Sequence, residues 1–181
     1  IITEAIKVLQ AVAKKYHQSF TYEHALIGAA AIDKTGNPLP DKTLEICKSS
    51  DAILFGAIGD PKYDNDPNAK VRPEQGLLAL RKALNLYCNI RPVTIYDSLI
   101  DSSPLKRNRI EGVDLVIYRE LTGGIYFGEP RGISVREDGV REGINTDRYD
   151  ENEIRRIGRL AFEAARKRGG RVCSVDKANV L

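Results

Sequence analysis

The chain has 181 residues, 42% of them hydrophobic and 29% charged, and 28 basic against 25 acidic residues leave a formal net charge of +3. This is the composition of an ordinary globular protein, long enough for one sizeable core or two small domains, and its interleaved charges argue against a nucleic-acid face. No apolar run reaches membrane-spanning length and no secretory leader is visible, so a cytoplasmic protein without membrane or nucleic-acid partners is expected.

Cys47, Cys88 and Cys173 lie far apart and form no CxxC pair, which suits buried free thiols better than zinc or disulfides. His17 and His24 are isolated. The chain contains no Met, opens inside a helical pattern and stops just after a strand pattern. A piece trimmed from a longer protein is the expectation.

Ile2, Ile6, Leu9, Val12, Ala13 and Tyr16 recur at helical spacing and predict a helix over residues 1–16. Phe20, Tyr22 and His24 alternate with polar residues as in a strand. Thr35-Gly36-Asn37-Pro38 is turn chemistry, after which Asp41 is the expected N-cap of a short helix to Cys47. Ala52–Phe55 reads as a buried parallel strand. A loop from Gly59 to Pro73 leads into a second helix reaching about Tyr87, with Pro73 in its first turn and Glu74 at its positive end. An extended Asn89–Val93 segment and a polar loop precede another buried-type strand, Asp114–Tyr118. Residues 133–137 and 140–144 around Asp138-Gly139 predict a hairpin. Asp150 is the expected cap of a helix with the apolar stripe Ile154, Ile157, Leu160, Ala161 and Ala164, closed by Arg166–Arg168 and Gly169-Gly170. Val172–Val175 is read as a last strand. Alternating helices and strands imply an α/β fold, with the hairpin as an inserted arm and a division near residues 87–90.

On the second helix, Glu74, Leu77, Leu78 and Arg81 share an arc of about 100°, while Leu80, Leu84 and Tyr87 are placed to supply the core contact. By itself this face reads equally as a solvated surface with two exposed leucines. Arg81, Arg91 and Arg119 follow one another at the ends of elements. Ligands of open α/β sheets gather outside strand carboxyl ends, and converging guanidinium groups suit a di-anionic substrate; three surface arginines remain the alternative. After Arg119 comes Thr122-Gly123-Gly124-Ile125-Tyr126-Phe127-Gly128-Glu129-Pro130, whose glycines permit close backbone approach to a ligand and whose tyrosine can donate a proton. Lys177 follows the last strand, where desolvation can turn a lysine into a base. No GxGxxG follows a strand, and neither a P-loop nor a GxSxG motif is present.

Residues 72–82 (RPEQGLLALRK) with 89–93 (NIRPV), residues 119–132 (RELTGGIYFGEPRG) and residues 174–181 (SVDKANVL) stand in one order along the chain. They resemble the isocitrate/isopropylmalate β-decarboxylating dehydrogenases in the form taken by the isopropylmalate-specific members. The resemblance implies an isopropylmalate dehydrogenase-like fold. Residues 1–88 would form part of a cofactor-side α/β domain. Residues 89–181 would form part of a central, dimerising α/β domain with its arm at about 133–145. It also implies NAD-dependent oxidative decarboxylation of 3-isopropylmalate to 2-oxoisocaproate, in leucine biosynthesis. In that scheme Arg81, Arg91 and Arg119 hold the malate carboxylates, and Leu77, Leu78 and Val180 receive the isopropyl group. Lys177, acting across the interface of a homodimer, takes the hydroxyl proton, and Tyr126 protonates the enolate. Glu74 and Gly59 lie near the cofactor. Asp60 departs from the family, which more often has glycine there. NAD and Mg2+ or Mn2+ are the implied cofactors, with no metal ligand expected within this chain. The metal aspartates and most adenosine-binding sequence belong to other segments of the family, so the isolated chain is expected to be inactive. The alternatives are another β-decarboxylating dehydrogenase, acting on isocitrate, tartrate or homoisocitrate, or a non-catalytic anion-binding or assembly fragment.

Overall fold

A computed structural model describes residues 1–65, 70–176 and 179. The chain forms two compact units, Ile1–Leu84 and Asn85–Leu181. The first is built from helices: α1 (Ile2–Tyr16), α2 (Ala29–Thr35), α3 (Asp41–Ser49), α4 (Pro61–Asp64) and α5 (Pro73–Ala83). The second contains β1 (Cys88–Thr94), α6 (Arg107–Ile110), β2 (Asp114–Glu120), the hairpin β3 (Gly132–Val135) and β4 (Arg141–Ile144), and α7 (Glu151–Arg166).

In the first unit α5 is the organising element. Pro73 opens it, and the Gln75 side chain accepts from the Arg72 backbone N–H at 3.1 Å. Its buried stripe is Pro73, Gly76 and Leu80; of the expected Leu80, Leu84 and Tyr87, Leu80 is buried and the other two are half-buried. The helix stops at Ala83, earlier than its periodicity predicts, because Leu84 and Asn85 leave the helical region and Asn85 adopts φ 51°. Gly76 explains the choice of stripe, since a Cβ there would press into the Pro38 carbonyl. Pro38 in turn accepts from Gly28 N–H at 2.8 Å, tying α5 to the start of α2. Two of these helices escaped the sequence reading: α2, and α4 within the expected glycine-rich loop. Asp41 is the first residue of α3, with Pro40 as its cap.

The expected strands at residues 20–24, 52–55 and 172–175 are absent, and those segments are irregular. A strand satisfies its backbone only in a ladder, and none of the three has a ladder partner among the described residues. Phe20, Tyr22, Ile53, Leu54, Phe55, Val172 and Val175 consequently remain exposed.

Residues 114–118 do form a strand, which pairs antiparallel with β1. Its burial alternates, with Val116 and Tyr118 half-buried and Leu115 and Ile117 exposed. The β1–β2 register sets Asn89 opposite Arg119, Arg91 opposite Ile117 and Cys88 opposite Glu120. Because side chains alternate along a strand, Asn89, Arg91, Ile117 and Arg119 share one face, and Tyr118, Glu120 and Asp114 share the other. Helix α7 packs on β2 from the second side, where Arg156 meets Glu120 and Arg168 meets Asp114, both at 2.5 Å. On the other side Arg91, Ile117 and Arg119 are exposed.

The hairpin is shorter than expected because residues 136–140 make the turn around Gly139 (φ 81°). Both its strands are exposed. Asp150 caps α7 by accepting from the N–H groups of Asn152 and Glu153 at 2.8 and 2.9 Å, while Glu153 accepts from Asp150 N–H at 3.0 Å. Ile154, expected on the buried stripe of that helix, is exposed. No helix among the described residues is long and apolar enough to cross a membrane.

Candidate active site

Several expected site residues stand on α5. Glu74 is exposed in the first turn, with Leu77, Leu78 and Arg81 half-buried along the flank of the stripe. Gly59 lies against that turn, since a Cβ on it would stand 3.5 Å from Glu74 Oε1. The two expected cofactor contacts are thus neighbours within the first unit. Asp60 has a local role that accounts for the departure from glycine: it caps α4, accepting from Lys62 N–H at 3.1 Å. Lys177 and Val180 lie outside the described residues.

The second unit brings three more together on the exposed face of the ladder. Arg91 and Arg119 are diagonal neighbours there, a relation that sets Cα atoms about 7–8 Å apart in antiparallel pairs. The Arg91 Nε donates to Asn89 Oδ1 at 2.5 Å, which draws its side chain along the face toward the residue opposite Arg119. Arg119 Nη2 donates to the Tyr126 hydroxyl at 3.0 Å, and its guanidinium carbon is 5.5 Å from the ring centroid. Since Tyr126 Oη is the acceptor in that bond, its own O–H remains able to donate to a third group. Two cations and a phenol on one exposed face suit an anion that must also be protonated. Arg81 belongs to the first unit.

Below the phenol, the loop after β2 is anchored by a residue that sequence reasoning passed over. Glu120 points toward α7 with a side chain only 9% exposed. Its carboxylate accepts from the N–H groups of Thr122 and Gly123, both at 2.8 Å, from Thr122 Oγ1 at 2.9 Å and from Arg156 Nη2 at 2.5 Å. Burial pushes its pKa up. The Gly123 amide, the Arg156 guanidinium and Thr122 outweigh that effect and hold the carboxyl below its usual range. Arg156 also donates to Thr122 Oγ1 and lies over the Tyr87 ring at 4.6 Å, with its Nε buried and without a hydrogen-bond partner among the described residues. The available signal was a Glu placed to accept from N–H groups two and three residues on, at a Thr-Gly-Gly turn. Arg156 carried none, since it is one arginine in a run of charged helix residues.

The glycines behave differently from expectation. They admit the chain's own 146–153 segment. Gly124 (φ 69°) donates its N–H to Arg148 O at 2.9 Å, and a Cβ on it would overlap the Tyr149 hydroxyl. A Cβ on Gly128 would overlap the Thr146 carbonyl. A cavity of about 270 Å3 between loop and segment is lined by residues that include Gly123, Phe127, Arg148 and Glu153, but not Arg91, Arg119 or Tyr126. The two arginines and the phenol stand on the ladder face, outside that cavity.

Cys47, Cys88 and Cys173 are free. Burial raises the thiol pKa of Cys47, and burial together with Glu120 raises that of Cys88; Cys173, against expectation, is exposed.

The family model described as isocitrate/isopropylmalate dehydrogenase matches residues 1–181. The 3-isopropylmalate dehydrogenase of Aquifex aeolicus is 57% identical over the whole chain, which covers 49% of that protein. That of Geobacillus kaustophilus is 54% identical, again over the whole chain and 48% of the relative. The chain therefore spans about half the length of the curated relatives it matches. Among solved structures, isocitrate dehydrogenase from Methylococcus capsulatus aligns with a TM-score of 0.58 and 25% identity, covering 86% of this chain and 42% of that one.

Proposed function

This chain belongs to the isocitrate/isopropylmalate dehydrogenase family, and on that premise we propose that the full-length protein oxidatively decarboxylates 3-isopropylmalate to 2-oxoisocaproate with NAD, in the cytoplasmic synthesis of leucine. The observation that carries the reading is the Arg119–Tyr126 bond on the face shared with Arg91. The printed names of the relatives support the choice of substrate.

In this reading Arg91 and Arg119 grip malate carboxylates, each charge-assisted bond contributing about 1.5–3 kcal/mol, and Arg81 is assigned the same role. Leu77, Leu78 and Val180 enclose the isopropyl group, whose burial is worth roughly 1.5–3 kcal/mol. The carboxylate of Glu74, beside Gly59, has the acceptors to hold the hydroxyls of a nicotinamide ribose. When bound, NAD supplies the acceptor for the substrate hydride. Lys177, from the partner subunit of a homodimer, takes the hydroxyl proton. Once carbon dioxide has left its electron pair on the substrate, Tyr126 protonates the resulting enolate carbon. The first unit is then part of the cofactor-side domain, and the second is part of the central domain with β3 and β4 as its arm.

The reading calls for Mg2+ or Mn2+. Among the described residues no group of three or more His, Cys, Asp or Glu is placed to hold one.

The test is a comparison of kcat/KM for 3-isopropylmalate and isocitrate, with the full-length protein and NAD. A preference for isopropylmalate is expected, because the leucine pair offers isocitrate's third carboxylate no partner. A preference for isocitrate would overturn the assignment.

A further inference from the structure

We infer that Glu120 and Arg156 are positioning residues for Tyr126, holding the turn after β2 so that the phenol meets the Arg119 guanidinium. The inference rests on the functional reading above, in which Tyr126 delivers a proton.

Arg119 and Glu120 are adjacent but point to opposite sides of the ladder, Arg119 to the exposed face and Glu120 to α7. The strand therefore couples the ligand face to the helix through a single peptide. Beyond Glu120 the ladder ends, with Leu121 N–H donating to Tyr87 O at 2.8 Å, and the chain must reverse to bring Tyr126 back over Arg119. The Glu120 carboxylate collects the donors of that reversal, the Thr122 and Gly123 amides and the Thr122 hydroxyl. Arg156 closes the set from α7 by bonding both Glu120 and Thr122 while stacking on Tyr87, the residue that receives the last ladder bond. One cluster thus joins the start of β1, the end of β2 and α7. The one-turn helix Gly124–Tyr126 begins immediately after the gripped Gly123.

The phenol itself is weakly held. Tyr126 is 45% exposed, and apart from the Arg119 contact its residue is tied by Arg131 Nη1 donating to its carbonyl at 2.8 Å. Its place over Arg119 is consequently set by the turn that carries it. Arg91 and Arg119 sit on strands and do not depend on that turn. Loosening it should affect proton delivery far more than carboxylate binding.

The experiment measures kcat, KM for 3-isopropylmalate and Tm in the full-length protein for Tyr126→Phe, Glu120→Gln, Arg156→Lys and the double variant Glu120→Gln/Tyr126→Phe. Arg155→Gln is the control, since Arg155 is exposed and pairs with Glu151 on its own helix. For Glu120→Gln we expect kcat to fall on the order of ten- to a hundredfold with KM changed by less than about twofold, as befits a displaced reacting group. In the Tyr126→Phe background the same substitution should have no further effect on kcat. Arg156→Lys should lower kcat in the same direction but less, and Arg155→Gln should leave it unchanged. Additive losses in the double variant, or a lowered Tm with kcat intact, would overturn the inference and leave the functional reading standing. An undiminished kcat in Tyr126→Phe would overturn the reading itself. Should Glu120→Gln fail to fold, Arg156→Lys combined with Tyr126→Phe supplies the same coupling test.

Discussion

Both units use a carboxylate to join segments distant in the chain, and the two carboxylates sit in contrasting surroundings. In the first unit Asp33 of α2 accepts from Lys62 Nζ and from the Tyr63 hydroxyl, each at 2.7 Å. Its side chain and that of Lys62 are about half exposed, at 44% and 50%. In the second unit Glu120 binds four donors with a side chain that is almost enclosed. Water can replace the partners of Asp33 and salt screens them; for Glu120 neither holds, and an unmade bond would leave a charge in a poorly solvated site. The same pairing is a surface trim in one unit and a structural joint in the other. The joint lies directly behind the proposed chemistry.

The largest effect expected in the second unit comes from the backbone of the loop that follows the joint. A Cβ on Gly128 would collide with the Thr146 carbonyl, which is main chain and cannot swing aside. Gly128→Ala should therefore destabilise the protein by about 3 kcal/mol, the upper range for overpacking, as read from urea unfolding. Next in size is an acid dependence. The Glu120 carboxyl is held below its ordinary value of 4.5 in the folded protein. Its contribution is complete above that value and is lost as pH falls through the lowered folded one. Thermal midpoints followed from pH 7 to pH 3 should fall less steeply for Glu120→Gln than for the parent. The smallest effect is the counterpart in the first unit. Asp33 is also held low, first by the hydrogen bond from Lys62 and then by that from Tyr63, but at a half-exposed site. Asp33→Asn should leave Tm within the scatter of the parent measurement, and a drop as large as that of Gly128→Ala would erase the distinction between the two regions.

The elements that were legible in advance are those whose signals are local. The helix of residues 2–16, the α5 start at Pro73, the hairpin around Asp138-Gly139 and the Asp150 cap all depend on spacing or on contacts within four residues. The misreadings concern what an apolar run packs against. Phe20, Tyr22 and Ile53–Phe55 carry a strand pattern, yet a strand exists only with a ladder neighbour, and pattern does not say whether one is present. The stripe of α5 keeps Leu80 but runs through Gly76 and Pro73 because Pro38 approaches Gly76, a contact across 38 residues of chain.

For the candidate site the division is similar. Arg91, Arg119 and Tyr126 were singled out by residue type and by a motif shared with a family, and these are matters of sequence alone. That Arg91 and Arg119 share a face follows from the β1–β2 register, and that Arg119 meets Tyr126 follows from the reversal after Leu121. The helix behind that reversal supplies Arg156 to Glu120 from 36 residues away. Hydrophobic periodicity and capping act over a single turn, so the sequence by itself determines them. Register, reversal and the choice of ion-pair partner are decided by which distant surfaces meet, and only the tertiary structure specifies those.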